Sequence, residues 1–144
     1  MQQPKILLVD DAPMMTRFLT LFLGEKFDVS TASNAKEALD RLKTGYRPDL
    51  IVTDLDMPEM SGLALIRKIR QIDASIPLIV ISGMKESRYR LDALEAGADD
   101  YMTKPFHPAE LSVRLQKQLE KKRLEKVGFA YEWLGSKNLL VASN

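Results

Sequence analysis

Leu50-Ile51-Val52-Thr53-Asp54-Leu55-Asp56-Met57-Pro58 is the stretch on which the reading of this chain turns. Three aliphatic residues run without interruption into an acid, a second acid and a turn-forming proline. A short continuous apolar run bounded by turn signals suits a strand buried on both faces, as in a parallel sheet. Strands of such sheets deliver their C-terminal ends to the edge where ligands bind. Asp54 is therefore expected at that edge as a reacting group.

Working outward, the same pattern recurs. Lys5–Val9 is an apolar run that ends at Asp10-Asp11, Phe27–Ala32 is a second strand, Leu78–Ile81 ends at Ser82-Gly83, and Ala98–Met102 leads to Lys104-Pro105. Helical stripes lie between them. Met15, Phe18, Leu19 and Phe22 follow Pro13, and Gly24 closes that helix. Asn34 and Glu37 form a capping-box-like start to a helix with Ala35, Ala38, Leu39 and Leu42 inward. Leu65, Ile66, Ile69 and Ile72 mark a third helix. A fourth, from about Glu86 to Ala96, has the poorest stripe, chiefly Leu91 and Leu94, and is expected to be the least firmly docked. A fifth starts at Pro108 with Leu111, Leu115 and Leu119 inward. Five strands alternating with five helices imply an α/β fold, with parallel βαβ units and right-handed crossovers.

The chain has 144 residues and a net charge of +1, which gives no bulk electrostatic case for nucleic acid or membrane binding. It contains no cysteine, which excludes disulfides and thiolate chemistry and fits a reducing cytosol. No apolar run approaches the ~18 residues of a membrane span. Residues 114–126 carry six basic side chains against Glu120 and Glu125. With acids interleaved and no stacking platform, this run reads as a solvated face. After Leu119, Lys122 and Lys126 take the positions a core-facing stripe would need. The domain is therefore expected to span residues 1–126. Residues 127–144, with Phe129, Tyr131, Trp133 and Leu134, read as a tail or the start of a linker. His107, the only histidine, reads as an exposed helix-start residue.

Asp10, Asp11, Asp54, Ser82 and Lys104 all stand at the C-terminal ends of expected strands, so the fold should gather them. Clustered carboxylates repel one another. A divalent cation with oxygen ligands relieves this, and Mg²⁺ is the usual choice where phosphate oxygens complete the shell. Asp54 can then attack phosphorus as a carboxylate nucleophile, forming an acyl phosphate. Lys104 offers a point charge and Ser82 a hydroxyl donor to the phosphoryl oxygens.

Taken together, Leu8-Val9-Asp10-Asp11, Thr53–Pro58 with Gly62, Ile81-Ser82-Gly83 and Gly97-Ala98-Asp99-Asp100-Tyr101-x-x-Lys104-Pro105-Phe106 resemble the receiver domain of two-component response regulators, over residues 4 to 120. The resemblance implies a flavodoxin-like (βα)5 fold with strand order 2-1-3-4-5. It implies that Asp54 is the phosphoacceptor for a histidine kinase or phosphotransfer protein. Asp10, Asp11, Asp54 and the backbone carbonyl of Asp56 would bind Mg²⁺, with Mn²⁺ as the alternative. Ser82 and Lys104 would hold phosphoryl oxygens, Tyr101 would be the switch aromatic, and the Lys104-Pro105 bond would be cis. Arg90, Asp99, Asp100, Glu110, Arg114 and Lys121 match charges used for a symmetric dimer through the fourth helix, fifth strand and fifth helix. For Glu110 and Arg114, a pair within one helix is the competing reading. The module would phosphorylate and dephosphorylate itself rather than turn over a separate substrate, and would control an unknown output partner.

Two other readings of the residues compete. Asp54-Leu55-Asp56 mimics the Asp-x-Asp motif of haloacid dehalogenase-type phosphatases, although those place the nucleophile near the chain start. A flavodoxin-like cofactor binder shares the topology, although Asp10-Asp11 would repel a phosphate after the first strand.

Overall fold

The computed structural model describes residues 2–142, without the side chains of residues 129–131 and 136–142. The elements, in chain order, are β1 (Lys5–Val9), α1 (Pro13–Leu23), β2 (Asp28–Ala32), α2 (Ala35–Lys43), β3 (Leu50–Thr53), α3 (Gly62–Ile72), β4 (Leu78–Ser82), α4 (Ser87–Ala96), β5 (Asp100–Thr103) and α5 (Pro108–Ala142). The strands form one parallel sheet in the order β2-β1-β3-β4-β5.

Side chains alternate across a strand, and here each alternate set has its own helices. Leu7, Val9, Ile51, Leu78 and Val80 pack with Ala38, Leu42, Leu65, Ile66, Ile69 and Ala93, so α2, α3 and α4 cover one face. Ile6, Leu8, Leu50, Val52, Ile79 and Ile81 pack with Leu19, Leu23, Leu111 and Leu115, so α1 and α5 cover the other. Burial on both faces is why β1, β3 and β4 read as unbroken apolar runs.

Local chemistry sets the helix ends. Asn34 Oδ1 accepts from the Glu37 amide at 2.8 Å, while Glu37 Oε2 accepts from the amide and hydroxyl of Ser33 rather than from Asn34. The box is thus offset by one residue. Gly24 caps α1 at φ −63°, so it is not there for a left-handed turn; a Cβ would lie 2.7 Å from the Thr20 carbonyl oxygen. Gly97 caps α4 at φ +123°, where glycine is favoured.

The α1 stripe holds for Met15 and Leu19 only, and the α4 stripe is out of phase. In α1 the buried residues are Leu19 and Leu23, while Phe18 and Phe22 stack on each other outside, with ring centroids 6.4 Å apart. In α4 Leu91 and Leu94 are exposed and the buried residue is Ala93. A small residue lets α4 approach the sheet closely; Tyr89 and Ala96 pack partly against the core, and the two leucines are left on the outer side. α5 runs unbroken through residue 126, the boundary expected from the charge pattern, to Ala142. The side chains of Phe129 and Tyr131, on which part of the expected tail rested, lie outside the described residues.

Candidate functional site

The C-terminal ends of β1, β3, β4 and β5 bring the expected acids and the lysine together because adjacent strands are in register. Val9 pairs with Thr53, Thr53 with Val80, and Ser82 with Thr103, so the residues that follow share one edge. Backbone bonds fix the approach: the Asp54 amide donates to the Val9 carbonyl at 3.0 Å, and the Lys104 amide to the Ser82 carbonyl at 2.8 Å.

Asp10, Asp11 and Asp54 each present a carboxylate oxygen, and these atoms lie within 4.8 Å of one another. Asp10 and Asp54 are buried and Asp11 is exposed, so the cluster opens to solvent on the Asp11 side. Lys104 Nζ lies 3.1 Å from Asp54 Oδ2 and 3.3 Å from Asp10 Oδ2. Partial burial pulls its pKa down, but the charges of Asp10 and Asp54 outweigh this and hold the ammonium above the ordinary lysine range. One cation against three carboxylates leaves the edge net negative. An all-oxygen, partly open donor set is what a hard divalent cation requires, so these residues fit Mg²⁺ or Mn²⁺.

The surrounding residues orient the acids. Asp10 Oδ1 accepts from the Ala12 amide at 2.9 Å, and Asp54 Oδ1 from the Asp56 amide at 3.1 Å. Asp56 is therefore tied to Asp54 through its backbone, and its own side chain is exposed. The buried Thr53 hydroxyl donates to the Asp54 carbonyl at 3.0 Å. Gly62, at the start of α3, sits so close to β3 that a Cβ there would lie 2.4 Å from the Asp54 carbonyl oxygen. Any larger residue would push α3 off the strand that carries Asp54.

Ser82 is fully buried, and its Oγ accepts from the Met84 amide at 3.1 Å. Tyr101 is buried too, and its hydroxyl donates to the Met84 carbonyl at 2.5 Å. Ser82 and Tyr101 thus meet at the backbone of Met84, a residue that carried no signal in the sequence. The Lys104-Pro105 peptide bond is cis. His107 is exposed, and its Nδ1 accepts from the Ala109 amide at 3.1 Å, which makes it the cap of α5.

The six charges of the expected dimer face divide. Arg114 is held within the chain by Asp100 at 2.8 Å and Glu110 at 3.0 Å, and Asp99 by Arg70 at 3.1 Å. Arg90 borders a groove with Glu110 and Arg114, whereas Lys121 lies near the opposite end of the sheet, beside Ser75 and Pro77. No helix of the described residues is long and apolar enough to cross a membrane.

Comparison with known proteins agrees with this geometry. Residues 6–116 match the family model described as the response regulator receiver domain. The transcriptional regulatory protein KdpE of Staphylococcus aureus is 42% identical over 115 residues, covering 79% of this chain and 49% of KdpE. The alkaline phosphatase synthesis transcriptional regulatory protein PhoP of Bacillus subtilis is 37% identical over 121 residues, covering 83% of this chain and 50% of PhoP. The chain thus spans about half the length of these curated relatives. Among solved structures, the receiver domain of a Francisella response regulator aligns with TM-score 0.77 at 31% identity, over 83% of this chain and 98% of that one. A CheY-like receiver domain from Methanospirillum hungatei aligns with TM-score 0.82 at 26% identity, over 86% and 99%. The matches favour neither the phosphatase nor the cofactor-binder reading. Its motif set, its 2-1-3-4-5 sheet and these matches agree that the chain belongs to the response regulator receiver domain family of two-component signalling.

Proposed function

We propose that Asp54 accepts a phosphoryl group from a phosphohistidine of a histidine kinase or phosphotransfer protein, and that the acyl phosphate controls a partner or output domain. The observation that carries this reading is the convergence of the Asp54 carboxylate with Asp10, Asp11 and the Lys104 ammonium at one sheet edge. In the transfer, an Asp54 oxygen forms a bond to phosphorus as the N–P bond of the donor breaks, and the leaving imidazole takes up a proton. No base on the receiver is needed, because a carboxylate oxygen attacks phosphorus without giving up a proton. Asp10, Asp11, Asp54 and the Asp56 carbonyl would hold a divalent cation, Mg²⁺ or Mn²⁺, whose charge offsets that of the entering phosphoryl oxygens. Lys104 supplies a second positive charge, positioned before the reaction begins. Hydrolysis of the acyl phosphate returns the carboxylate, so the chain modifies itself and turns over no separate substrate.

Conformational readout uses what surrounds the site. The Ser82 hydroxyl is the donor available to a phosphoryl oxygen. Its movement disturbs the Met84 backbone, which also holds Tyr101. The α4 helix follows within a few residues and is weakly anchored at its start, since Glu86 makes no side-chain cap. A shift of Ser82 and Tyr101 therefore biases α4 between two positions. A symmetric contact through α4, β5 and α5, using Arg90, Asp99, Asp100, Glu110, Arg114 and Lys121, belongs to the same proposal. The domain proper would be residues 1–126, with 127–144 leading toward an output partner.

A small phosphodonor such as acetyl phosphate, with Mg²⁺, tests the central claim. Wild type should become labelled and Asp54→Asn should not; equal labelling of the two would remove Asp54 from this role. Sizing of the labelled protein tests the dimer: a species that stays monomeric at high concentration argues against the α4–β5–α5 contact.

A further inference from the structure

The loop between α3 and β4 lies at the N-terminal edge of the sheet, far from Asp54, and two long side chains converge on it from opposite directions. Arg70, near the end of α3, donates to the Gly97 carbonyl through Nε at 2.9 Å and Nη2 at 2.7 Å. It also donates to the Ile76 carbonyl at 2.6 Å and pairs with Asp99 at 3.1 Å. Asp99 in turn accepts from the Leu78 amide at 2.8 Å. One guanidinium therefore joins the end of α3, the α3–β4 loop, the cap of α4 and the residue leading into β5. Its fit is close: a Cβ on Gly97 would lie 2.8 Å from Arg70 Cγ.

From the other side comes α5. Lys122 Nζ donates to the Ser75 carbonyl at 2.8 Å and approaches Ser75 Oγ at 3.3 Å. Ser75 is itself held by Asp73, which accepts from its amide and its hydroxyl at 2.7 Å each. Partial burial pushes the Asp73 carboxyl up, but the bonds from Ser75 and the charges of Lys122 and Arg47 outweigh this and hold it below the ordinary carboxylate range. Cavities of about 420 and 540 Å³ lie on either side of Lys122 and both reach Ser75. Apart from the half-buried Lys122, residues 120–128 are exposed, so this stretch of α5 is seated by a polar tether rather than by side-chain packing.

We infer that the α3–β4 loop is a two-ended clamp, which fixes the end of α4 through Arg70 and the continuation of α5 through Lys122, and so couples the position of one helix to the direction of the other. α4 is gripped at Gly97, has a single buried side chain, and lacks a side-chain cap at its start. It is therefore built to pivot about its C-terminal end. As α4 swings about that end, the Gly97 carbonyl turns with the last turn of the helix, Arg70 follows it, and the loop that Arg70 holds carries Ser75 and Lys122 along. α5 past Leu119 is then re-aimed without any contact to α4. This coupling is a property of the unphosphorylated chain and does not depend on the chemistry at Asp54.

Hydrogen–deuterium exchange on the full chain, with no phosphodonor or metal added, tests the clamp. Amides 120–128 lie on an exposed stretch of α5, where exchange by local opening is expected to be insensitive to a loss of global stability alone. Lys122→Met keeps the aliphatic stem and removes the donors; exchange there should rise about threefold or more while α1 and β1 stay as in wild type. Lys122→Arg can still donate and should stay near wild type. Arg70→Met touches nothing beyond Leu119, yet should raise exchange in the same segment and add nothing further in the Lys122→Met background. Where circular dichroism shows Arg70→Met to be poorly folded, Arg70→Lys, which keeps a charge beside Asp99 but cannot reach the Gly97 and Ile76 carbonyls together, replaces it in the cycle. Unchanged exchange at 120–128 in Lys122→Met overturns the tether. Fully additive effects in the double variant overturn the coupling.

Discussion

The two ends of the sheet carry charge in opposite ways. At the C-terminal edge three carboxylates crowd one ammonium, and two of the three are buried. At the N-terminal edge Arg70 is matched by Asp99 and backbone carbonyls, and Lys122 and Asp73 meet on Ser75. The first arrangement stores an electrostatic deficit that a cation or an altered carboxylate relieves; the second is satisfied as it stands. The comparison separates a site that does chemistry from a site that holds shape, although both are made of acids and bases brought together across long sequence separations.

The largest expected effect comes from removing Lys104, the cation that faces the acids at the deficient edge. Lys104→Met should lower the rate of labelling by a small phosphodonor by about 10²-fold or more, the scale of losing one preorganised charge partner. It should also raise the dependence of thermal stability on divalent cation, since Asp10, Asp11 and Asp54 would then face one another without Lys104. A titration completes the test. The Lys104 pKa is held above its ordinary value near 10.5, so its contacts are fully present below that value and are lost only as pH rises past the folded-state value. Between pH 6 and pH 9 the Lys104 contribution should be constant, and any loss of wild-type labelling there must have another origin. A Lys104→Met protein that labels at the wild-type rate would make the upper edge as passive as the lower.

At the lower edge the expected effect is on stability. Arg70 is only 17% exposed, so Arg70→Met strands the Gly97 and Ile76 carbonyls with little solvent to replace it, while the exposed Asp99 keeps the Leu78 amide. A cost of about 2–3 kcal/mol follows from losing hydrogen bonds to a charged donor. Chemical denaturation measures it, and the labelling rate at Asp54 should change little. A variant with wild-type stability but impaired labelling would reverse the division of roles between the edges.

How legible each edge was follows from its physics. The upper edge could be read because buried parallel strands announce themselves as apolar runs, and the residue after such a run has one place to be. Asp10, Asp54, Ser82 and Lys104 inherit their positions from the strands alone. The strand order and the Gly62 approach to β3 agree with the same family pattern. Arg70 and Lys122 had no such signal. They bond mainly to backbone carbonyls, which every residue possesses, and their partners are chosen by how the α3–β4 loop meets α4 and α5. The structure departs from part of the α1 stripe and from the α4 stripe for a related reason: the close approach of each helix to the sheet, and not hydrophobicity alone, selects what is buried. Leu19 is buried and Met15 packs against the core as the α1 stripe predicts, but Leu23 takes the place of Phe18 and Phe22, and in α4 Ala93 takes the place of Leu91.

That departure makes the smallest prediction the most discriminating. Leu91, part of the poor stripe expected for α4, is exposed, whereas Ile69 on the neighbouring α3 is fully buried. Ile69→Ala should cost about 2–5 kcal/mol, the range for truncating a large buried aliphatic. Leu91→Ala should cost no more than about 0.5 kcal/mol, because an exposed leucine gives up little on truncation and alanine has the higher helix propensity. Denaturant midpoints measured at constant m-value separate the two. If Leu91→Ala were as costly as Ile69→Ala, α4 would be held along its length by its apolar side chains. The contrast between an edge that moves and an edge that holds would then lose its hinge, because a helix docked along its whole outer stripe cannot pivot about Gly97.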